Sequence, residues 1–424
     1  MRVGPYELGP KIGGGGMARV HLGHRVQRRT GVPDTVAIKL IRDELLEKRE
    51  YEDMFLDEAR ILSRLEHPGI IRTYEFGAED GLRYIAMELL LGRSLMDAWD
   101  ACVAGGGRMP VELGVHVCAR VARALEYAHE LRDEDGRPLN LVHRDVNPTN
   151  VFLTYDGDVK LIDFGLAKAA GRVARSKEGI IKGKVPYLSP EQILEEGVDR
   201  RTDVYALGAT LWECTTGRRL FKRDTDLETI RAIQRGDIPD PRTFGGPPYP
   251  DDLWDVVRKA LARNRDERYA TAADLACDLE RFLERCGHGD RNPALATWLA
   301  GLFPGEATKQ RRWLDRAERP DAPTTMFPPA PVAEAPPIVS ARAPARADED
   351  EEQEYARDQG VGDDGRTDSG EPPGPETEPR ARRTAEYPAP DGSPAPRASA
   401  GLLAWLFFGM VAGGVLVAIW ALAR

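Results

Sequence analysis

The spacing of apolar residues differs between the two ends of this chain, and the difference restricts the folds it can adopt. Two-residue alternation, typical of half-buried strands, occurs in segments such as 35–41 (TVAIKLI) and 84–90 (YIAMELL). It is confined to the first ninety residues and to a small group near 150–162. Helical spacing predicts helices over residues 51–65, 110–131, 201–216, 251–263 and 271–285. A strand-rich start followed by a helical body predicts a two-lobed α+β domain over residues 6–286.

The composition changes abruptly at about residue 320. Fifteen of the 32 prolines lie between Asp321 and Ala400, together with 17 acidic and 8 basic residues. The formal net charge of −10 argues against a general nucleic-acid binder, which needs a basic face. This segment carries −9 of that charge, so the rest of the chain is close to neutral. Such sequence buries too little apolar surface to offset the entropy of ordering, so we predict a disordered linker over residues 320–400.

The segment 401–423 (GLLAWLFFGMVAGGVLVAIWALA) has 23 residues and no charge. As a helix it is about 35 Å long, enough for a hydrocarbon core of about 30 Å. We therefore expect a transmembrane helix here, with a buried core helix as the alternative. Arginines precede it at positions 380, 382, 383 and 397, which favours the cytoplasmic side for the N-terminal domain.

Two further features of the C-terminal region concern packing and association. Residues 287–319 form a weakly amphipathic helical extension that can pack on the preceding domain or bind a partner, and the sequence leaves both open. Gly409 and Gly413 form a GxxxG pair, which predicts a weak homodimer, although glycine is also common in membrane spans.

A glycine run lies between two predicted strands, in residues 12–20 (IGGGGMARV). Glycines let the backbone approach phosphate groups closely and direct its N–H groups at them. By itself this signal is weak, because a flexible hairpin has the same composition.

The next strand places Ala37 and Lys39 on one face. A small apolar residue there can cover a flat base while the lysine reaches its phosphates. A buried ammonium needs a carboxylate partner, and Glu58 in the following helix is the candidate. Taken singly, Lys39 and Glu58 are better explained as a solvated strand lysine and a helix-surface glutamate.

Polar residues then cluster in 143–150 (HRDVNPTN) and 163–165 (DFG). The oxygens of Asn150 and Asp163 suit Mg²⁺, which shares its coordination shell with phosphate oxygens. A separate aspartate, Asp145, can orient an attacking hydroxyl and accept its proton. One such group arises by chance in turns, but the ordered set from the glycine run onward does not.

This ordered set resembles the eukaryotic-like (Hanks-type) serine/threonine protein kinases, particularly their bacterial branch. The resemblance implies the bilobal kinase fold, with ATP and Mg²⁺ in the cleft between a β-rich and a helical lobe. It implies transfer of the ATP γ-phosphate to Ser or Thr hydroxyls of protein substrates, with autophosphorylation. Together with the expected anchor, it places a single-pass signalling enzyme at the bacterial inner membrane, its kinase domain in the cytoplasm.

The resemblance also assigns roles. Asp145 is the catalytic base, Asn150 and Asp163 are the metal ligands, and Lys39, paired with Glu58, contacts the α- and β-phosphates. The adenine lies between Val20 and Ala37 on one side and Phe152 on the other, against the backbone of the hinge, residues 88–90. The implied nucleotide-binding residues are Ile12, Gly13, Gly14, Gly15, Gly16, Met17, Ala18, Arg19, Val20, Ala37, Lys39, Glu88, Leu90 and Phe152. Two further matches indicate scaffold: Glu191 pairs with Arg268, and Asp203 anchors the backbone of the catalytic loop.

Three positions depart from the family pattern. The third glycine of the phosphate loop is replaced by Ala18, which is a mild change. The lysine expected two residues after the catalytic aspartate is Asn147, and the threonine expected before the Tyr-x-x-Pro-Glu segment is Lys184. We interpret this as an exchange in which Lys184 is a fourth catalytic group and Asn147 hydrogen-bonds its ammonium. The alternative is a solvated Lys184 that contacts acidic substrates.

A different class of function also has to be weighed. A pseudokinase scaffold binds nucleotide or partners without catalysis. Every group needed to position phosphate and metal and to accept a proton is present in this sequence, which favours the enzyme.

Overall fold

The computed structural model describes residues 1–14, 18–41, 59–79, 81–164, 184–245, 247–287 and 289–317. The chain divides into two units at Ser340, and the described residues all lie in the first, Met1–Ser340. The predicted linker over 320–400 and the predicted transmembrane helix over 401–423 lie outside the described residues. Among the helices that are described, none has both the length and the apolar character needed to cross a bilayer.

The N-terminal lobe is a six-stranded antiparallel sheet, in the order β1-β2-β3-β4-β6-β5. Its strands are β1 (Arg2–Val3), β2 (Tyr6–Gly14), β3 (Ala18–Arg25), β4 (Thr35–Ile41), β5 (Thr73–Glu79) and β6 (Leu82–Met87). The predicted strand 35–41 is confirmed. The other predicted strand ends at Met87 and not at residue 90, although the Glu88 N–H still donates to the Arg72 carbonyl (2.8 Å) and continues the β5–β6 pairing by one residue.

The C-terminal lobe carries a small antiparallel sheet and the helices. Its strands are β7 (Gly92–Ser94), β8 (Val151–Thr154) and β9 (Val159–Leu161). Its helices are α1 (Leu95–Ala104), α2 (Val111–His129), α3 (Pro190–Ile193), α4 (Arg201–Thr216), α5 (Asp226–Arg235), α6 (Asp251–Ala260), α7 (Ala272–Arg285), α8 (Asn292–Leu302) and α9 (Glu306–Ala317). The strand-rich lobe followed by a helical lobe confirms the predicted α+β, bilobal arrangement.

The core of the helical lobe is built around α2 and α4. The helical spacing of residues 110–131 predicts one apolar stripe on α2, made of Val111, Val115, Cys118, Ala122 and Leu125. Val111 is partly buried, and the other four are fully inaccessible. Helix α4 matches its predicted bounds and ends at Gly217, whose φ of 70° gives the left-handed turn that closes many helices. Of the predicted helix 51–65, residues 59–62 are helical and 51–58 lie outside the described residues.

Helices α8 and α9 settle how the extension after residue 286 packs. Leu295 and Leu299 are fully buried and Phe303 is 5% exposed, all within the core cluster of the helical lobe. The extension therefore packs on the preceding domain.

Candidate active site

The loop between α2 and β8 is held by one buried carboxylate. Asp203, in the first turn of α4, accepts hydrogen bonds from the backbone N–H groups of His143 and Arg144 at 2.8 Å each. Its Oδ2 also lies 2.8 Å from Nε2 of His129. These contacts confirm Asp203 as the anchor of this loop, and they stabilise Arg144 at a φ of 64°, which is uncommon for a residue with a side chain.

Asp145 is the centre of this loop. Its side chain is 8% exposed. The Asn150 amide nitrogen donates to its backbone carbonyl (2.8 Å) and to Oδ2 (3.1 Å). The Asn147 amide nitrogen donates to the same carbonyl (2.8 Å) and to Oδ1 (3.3 Å). Both carboxylate oxygens therefore have an amide donor, which fixes the plane of the carboxylate.

Lys184 makes an ion pair with Asp145. Its Nζ lies 2.5 Å from Oδ2. The sequence predicted a hydrogen bond to Asn147 instead, and the structure corrects this. The Asn147 oxygen already accepts from the N–H of Thr149 (2.9 Å) and from the hydroxyl of Thr149, so the ammonium turns to the carboxylate.

Lys39 reaches across from β4 to Asp163, with Nζ 2.8 Å from Oδ1. The Lys39 ammonium is the main reason that the pKa of Asp163 lies below its usual value, and Lys184 lowers it further. The predicted partner of Lys39, Glu58, lies outside the described residues. In the described residues, Lys39 is therefore paired with Asp163, a candidate metal ligand.

Asp163 and the catalytic loop are joined directly. The side chain of Phe164 packs on His143, with ring centroids 4.5 Å apart. The backbone N–H of Ile162 donates to the Asn150 carbonyl (2.9 Å). The amide nitrogen of Asn150 is engaged by Asp145, which leaves its side-chain oxygen as the atom that can ligate a metal beside Asp163.

The residues predicted to bind nucleotide lie on the sheet above this loop. Val20 is the cross-strand partner of Lys39, so the two side chains share a face, and Ala37 lies two residues from Lys39 on that face. Ile12, Gly13 and Gly14 end β2, and Ala18 and Arg19 begin β3. Gly15, Gly16 and Met17 lie outside the described residues.

The hinge between the lobes presents specific backbone atoms. The Glu88 N–H donates to the Arg72 carbonyl, so the backbone group of Glu88 that can hydrogen-bond to an adenine is its carbonyl. Its carboxylate accepts from Nζ of Lys160 at 3.0 and 2.9 Å, a contact that the sequence reasoning missed. Lys160 is paired with Phe152 across β8 and β9, so the hinge is tied to the strand that carries the predicted lower wall.

The scaffold pair predicted from sequence is also present. The two terminal nitrogens of the Arg268 guanidinium, Nη1 and Nη2, donate to the Glu191 carboxylate at 2.8 and 2.9 Å. The Arg268 and Glu191 side chains are 0% and 4% exposed. Thr202 donates a further hydrogen bond to Glu191 (2.7 Å). This bidentate geometry confirms the pair.

A β-rich lobe above a helical lobe, with a lysine, two aspartates and an asparagine meeting between them, is the arrangement of a protein kinase. The family described as "Protein kinase domain" matches residues 6–278, and the chain belongs to this family.

Individual relatives are similar over the same region. The chain is 38% identical over 308 residues to tyrosine-protein kinase MasK of Myxococcus xanthus, which covers 73% of this chain and 47% of MasK. It is 35% identical over 282 residues to serine/threonine-protein kinase PknB of Mycobacterium leprae, covering 65% and 42%. A solved kinase domain of PknI from Mycobacterium tuberculosis is 26% identical, with a TM-score of 0.48, and covers 67% of this chain and 96% of that one. The chain thus spans less than half the length of these two curated relatives.

Proposed function

We propose that this chain is an ATP-dependent protein kinase that transfers the γ-phosphate of ATP to Ser and Thr hydroxyls of proteins, including its own. The observation that carries the proposal is Asp145, a nearly buried carboxylate oriented by two amides and adjacent to the Lys39–Asp163 pair. A carboxylate so placed can accept a proton from a hydroxyl brought to it. The neighbouring ammonium groups can hold phosphate oxygens.

The residues present fit a magnesium ion. In the described parts of the chain, no group of three or more His, Cys, Asp and Glu side chains could hold a metal ion. Mg²⁺ commonly takes one or two protein oxygens together with phosphate oxygens, and the Asn150 amide oxygen and the Asp163 carboxylate supply such a pair. Bound there, the ion would neutralise charge on the β- and γ-phosphates.

The transfer step follows from these positions. The acceptor hydroxyl gives its proton to the Asp145 carboxylate as its oxygen forms a bond to the γ-phosphorus. The bond from the γ-phosphorus to the oxygen bridging the β-phosphate breaks, and ADP leaves with that electron pair. Lys39 contributes by holding the phosphates and Asp163 in one place.

Acceptor type is the finer part of the proposal. PknB is named a serine/threonine kinase and MasK a tyrosine kinase, so the names of these two relatives support different acceptor residues. We favour Ser and Thr because further relatives, from Clostridium perfringens and Bacillus subtilis, also carry the serine/threonine name. Phosphoamino-acid analysis of the products should give phosphoserine or phosphothreonine. Phosphotyrosine alone would assign the chain to the other specificity.

The activity test compares the wild type with Asp145→Asn, using labelled ATP and a generic protein substrate. Loss of the base should lower kcat by ~10²–10⁴. Asp135→Asn makes the same chemical change on an exposed loop carboxylate and should leave kcat unchanged. A wild type that binds ATP with no transfer above the Asp145→Asn level would instead indicate a pseudokinase scaffold.

We also propose that the kinase domain is anchored to the bacterial inner membrane by a helix over residues 401–423, facing the cytoplasm, and forms weak homodimers there. What supports this is the uncharged 23-residue stretch, the arginines before it and the Gly409/Gly413 pair.

A further inference from the structure

Lys184 occupies a fixed place beside the proposed base. It directly precedes a short turn, Val185–Tyr187, in which both end residues are buried. The Tyr187 hydroxyl donates to the buried Glu213 carboxylate (2.7 Å), and the Tyr187 N–H donates to the Lys184 carbonyl (3.1 Å). The backbone that carries Lys184 is therefore anchored in the core of the helical lobe.

The Lys184 ammonium contacts the carboxylate that the proposed reaction uses as its base. Its Nζ lies 2.5 Å from Oδ2 of Asp145. The Lys184 side chain is 35% exposed, so it is not sealed in the core. A phosphoryl group transferred to a hydroxyl that is held by Asp145 would come close to this ammonium.

Asn147 cannot supply this charge. It stands where the family pattern has a lysine, but it is a neutral amide engaged at both ends. Its nitrogen donates to Asp145 and its oxygen accepts from Thr149. Its contacts orient the base, which leaves the cationic role to a residue elsewhere in the chain.

We propose that Lys184 is a catalytic residue that contacts the transferring phosphoryl group and stabilises the charge that develops on it. The inference rests on the proposed kinase function. An ammonium carries three N–H donors, so Lys184 can hold Asp145 with one and donate to a phosphoryl oxygen with another. Because the contact is made in the transition state, it raises kcat and has little effect on ATP binding.

The test uses the whole 424-residue chain in detergent, with steady-state kinetics of peptide phosphorylation. Lys184→Met should lower kcat by ~10²–10³, the usual cost of losing one such electrostatic contact. The KM for ATP should stay nearly unchanged, which a merely structural role would not produce. Lys184→Arg keeps the charge and should retain part of the activity. Lys222→Met removes an exposed ammonium outside the cleft and should match the wild type.

A second variant keeps the proposal falsifiable if Lys184→Met does not fold. The double variant Asn147→Lys/Lys184→Thr returns the cation to the catalytic loop and should recover activity relative to Lys184→Thr alone. Thermal unfolding and ATP binding establish that each variant is folded. Near-wild-type or raised kcat in folded Lys184→Met overturns the proposal, and so does a double variant no more active than Lys184→Thr.

The two proposals fail in different ways. If the wild type transfers phosphate and Asp145→Asn does not, the kinase function stands whatever Lys184→Met does. If the wild type and Asp145→Asn are equally inactive, the kinase function fails, and the role of Lys184 fails with it.

Discussion

The Glu191–Arg268 pair shows at residue scale how the site is supported. Both side chains are nearly inaccessible, so removing one charge leaves the other buried without compensation. Glu191→Gln should lower the free energy of unfolding by ~3–5 kcal/mol. Glu196→Gln, the same change on an exposed residue of the following loop, should cost less than ~0.5 kcal/mol. Denaturant titration of both variants measures the difference, and equal values would mean that the pair contributes little.

The same pair predicts a pH dependence. Burial by itself raises the pKa of Glu191, but the hydrogen bonds and charge of Arg268 outweigh it, and the pKa falls below its ordinary value of 4.5. The stability from the ionised carboxylate is therefore present above about pH 4.5 and is lost as pH falls through the lower folded-state pKa. Unfolding measured from pH 7 to 3 should show this loss in the wild type. The loss should be smaller in Glu191→Gln.

At the scale of elements, α8 and α9 extend the kinase domain beyond the family match. Asn292, at the start of α8, bonds to His116 of α2 and to Asp158 in the β8–β9 turn, at 3.0 and 3.1 Å. In α9, Glu306 pairs with the buried Arg93 of β7 (2.9 Å). Gln310 of α9 accepts from the Gly92 N–H (3.2 Å). These helices thus secure the strand that directly follows the hinge.

A substitution at Gly157 tests how tightly α8 packs on the β8–β9 turn. It has a φ of 90°, and a Cβ added to it would lie 2.0 Å from the Asn292 carbonyl oxygen. Gly136 has a similar φ of 79° but no described atom within 4 Å of an added Cβ. Gly136→Ala should therefore cost only the ~1–2 kcal/mol of left-handed backbone. Gly157→Ala should cost ~1–3 kcal/mol more, since α8 must shift. Equal melting temperatures would show that α8 is not tightly docked.

At the scale of the whole molecule, the prediction concerns the membrane. The uncharged stretch 401–423 is long enough to span, so the whole chain should remain with the membrane fraction after high-salt and carbonate washes. A chain ending at residue 400 should be released by the same washes. Protease added outside intact cells should leave the kinase domain uncut. Equal distribution of the two chains between fractions would contradict the anchor.

Much of the fold follows from local sequence patterns. Helix α4 matches its predicted bounds because its apolar spacing and its closing glycine are local signals. The strand ending at Met87 was predicted too long, since its end is decided by where its pairing with β4 and β5 stops, at Met87, and not by its own apolar spacing. Helices α1 and α5 were not predicted.

The sequence alone determined the candidate site residues, because the glycine run, Lys39, Asp145, Asn150 and Asp163 follow one another in a recognisable order and spacing. The family resemblance also implied the pairing of Glu191 with Arg268, which the structure confirms. Only the tertiary structure decided where the ammonium groups lie. Lys184 meets Asp145 from 39 residues away, and Lys39 meets Asp163 from 124 residues away. Such contacts depend on how packed elements bring distant side chains together, and no local pattern encodes that.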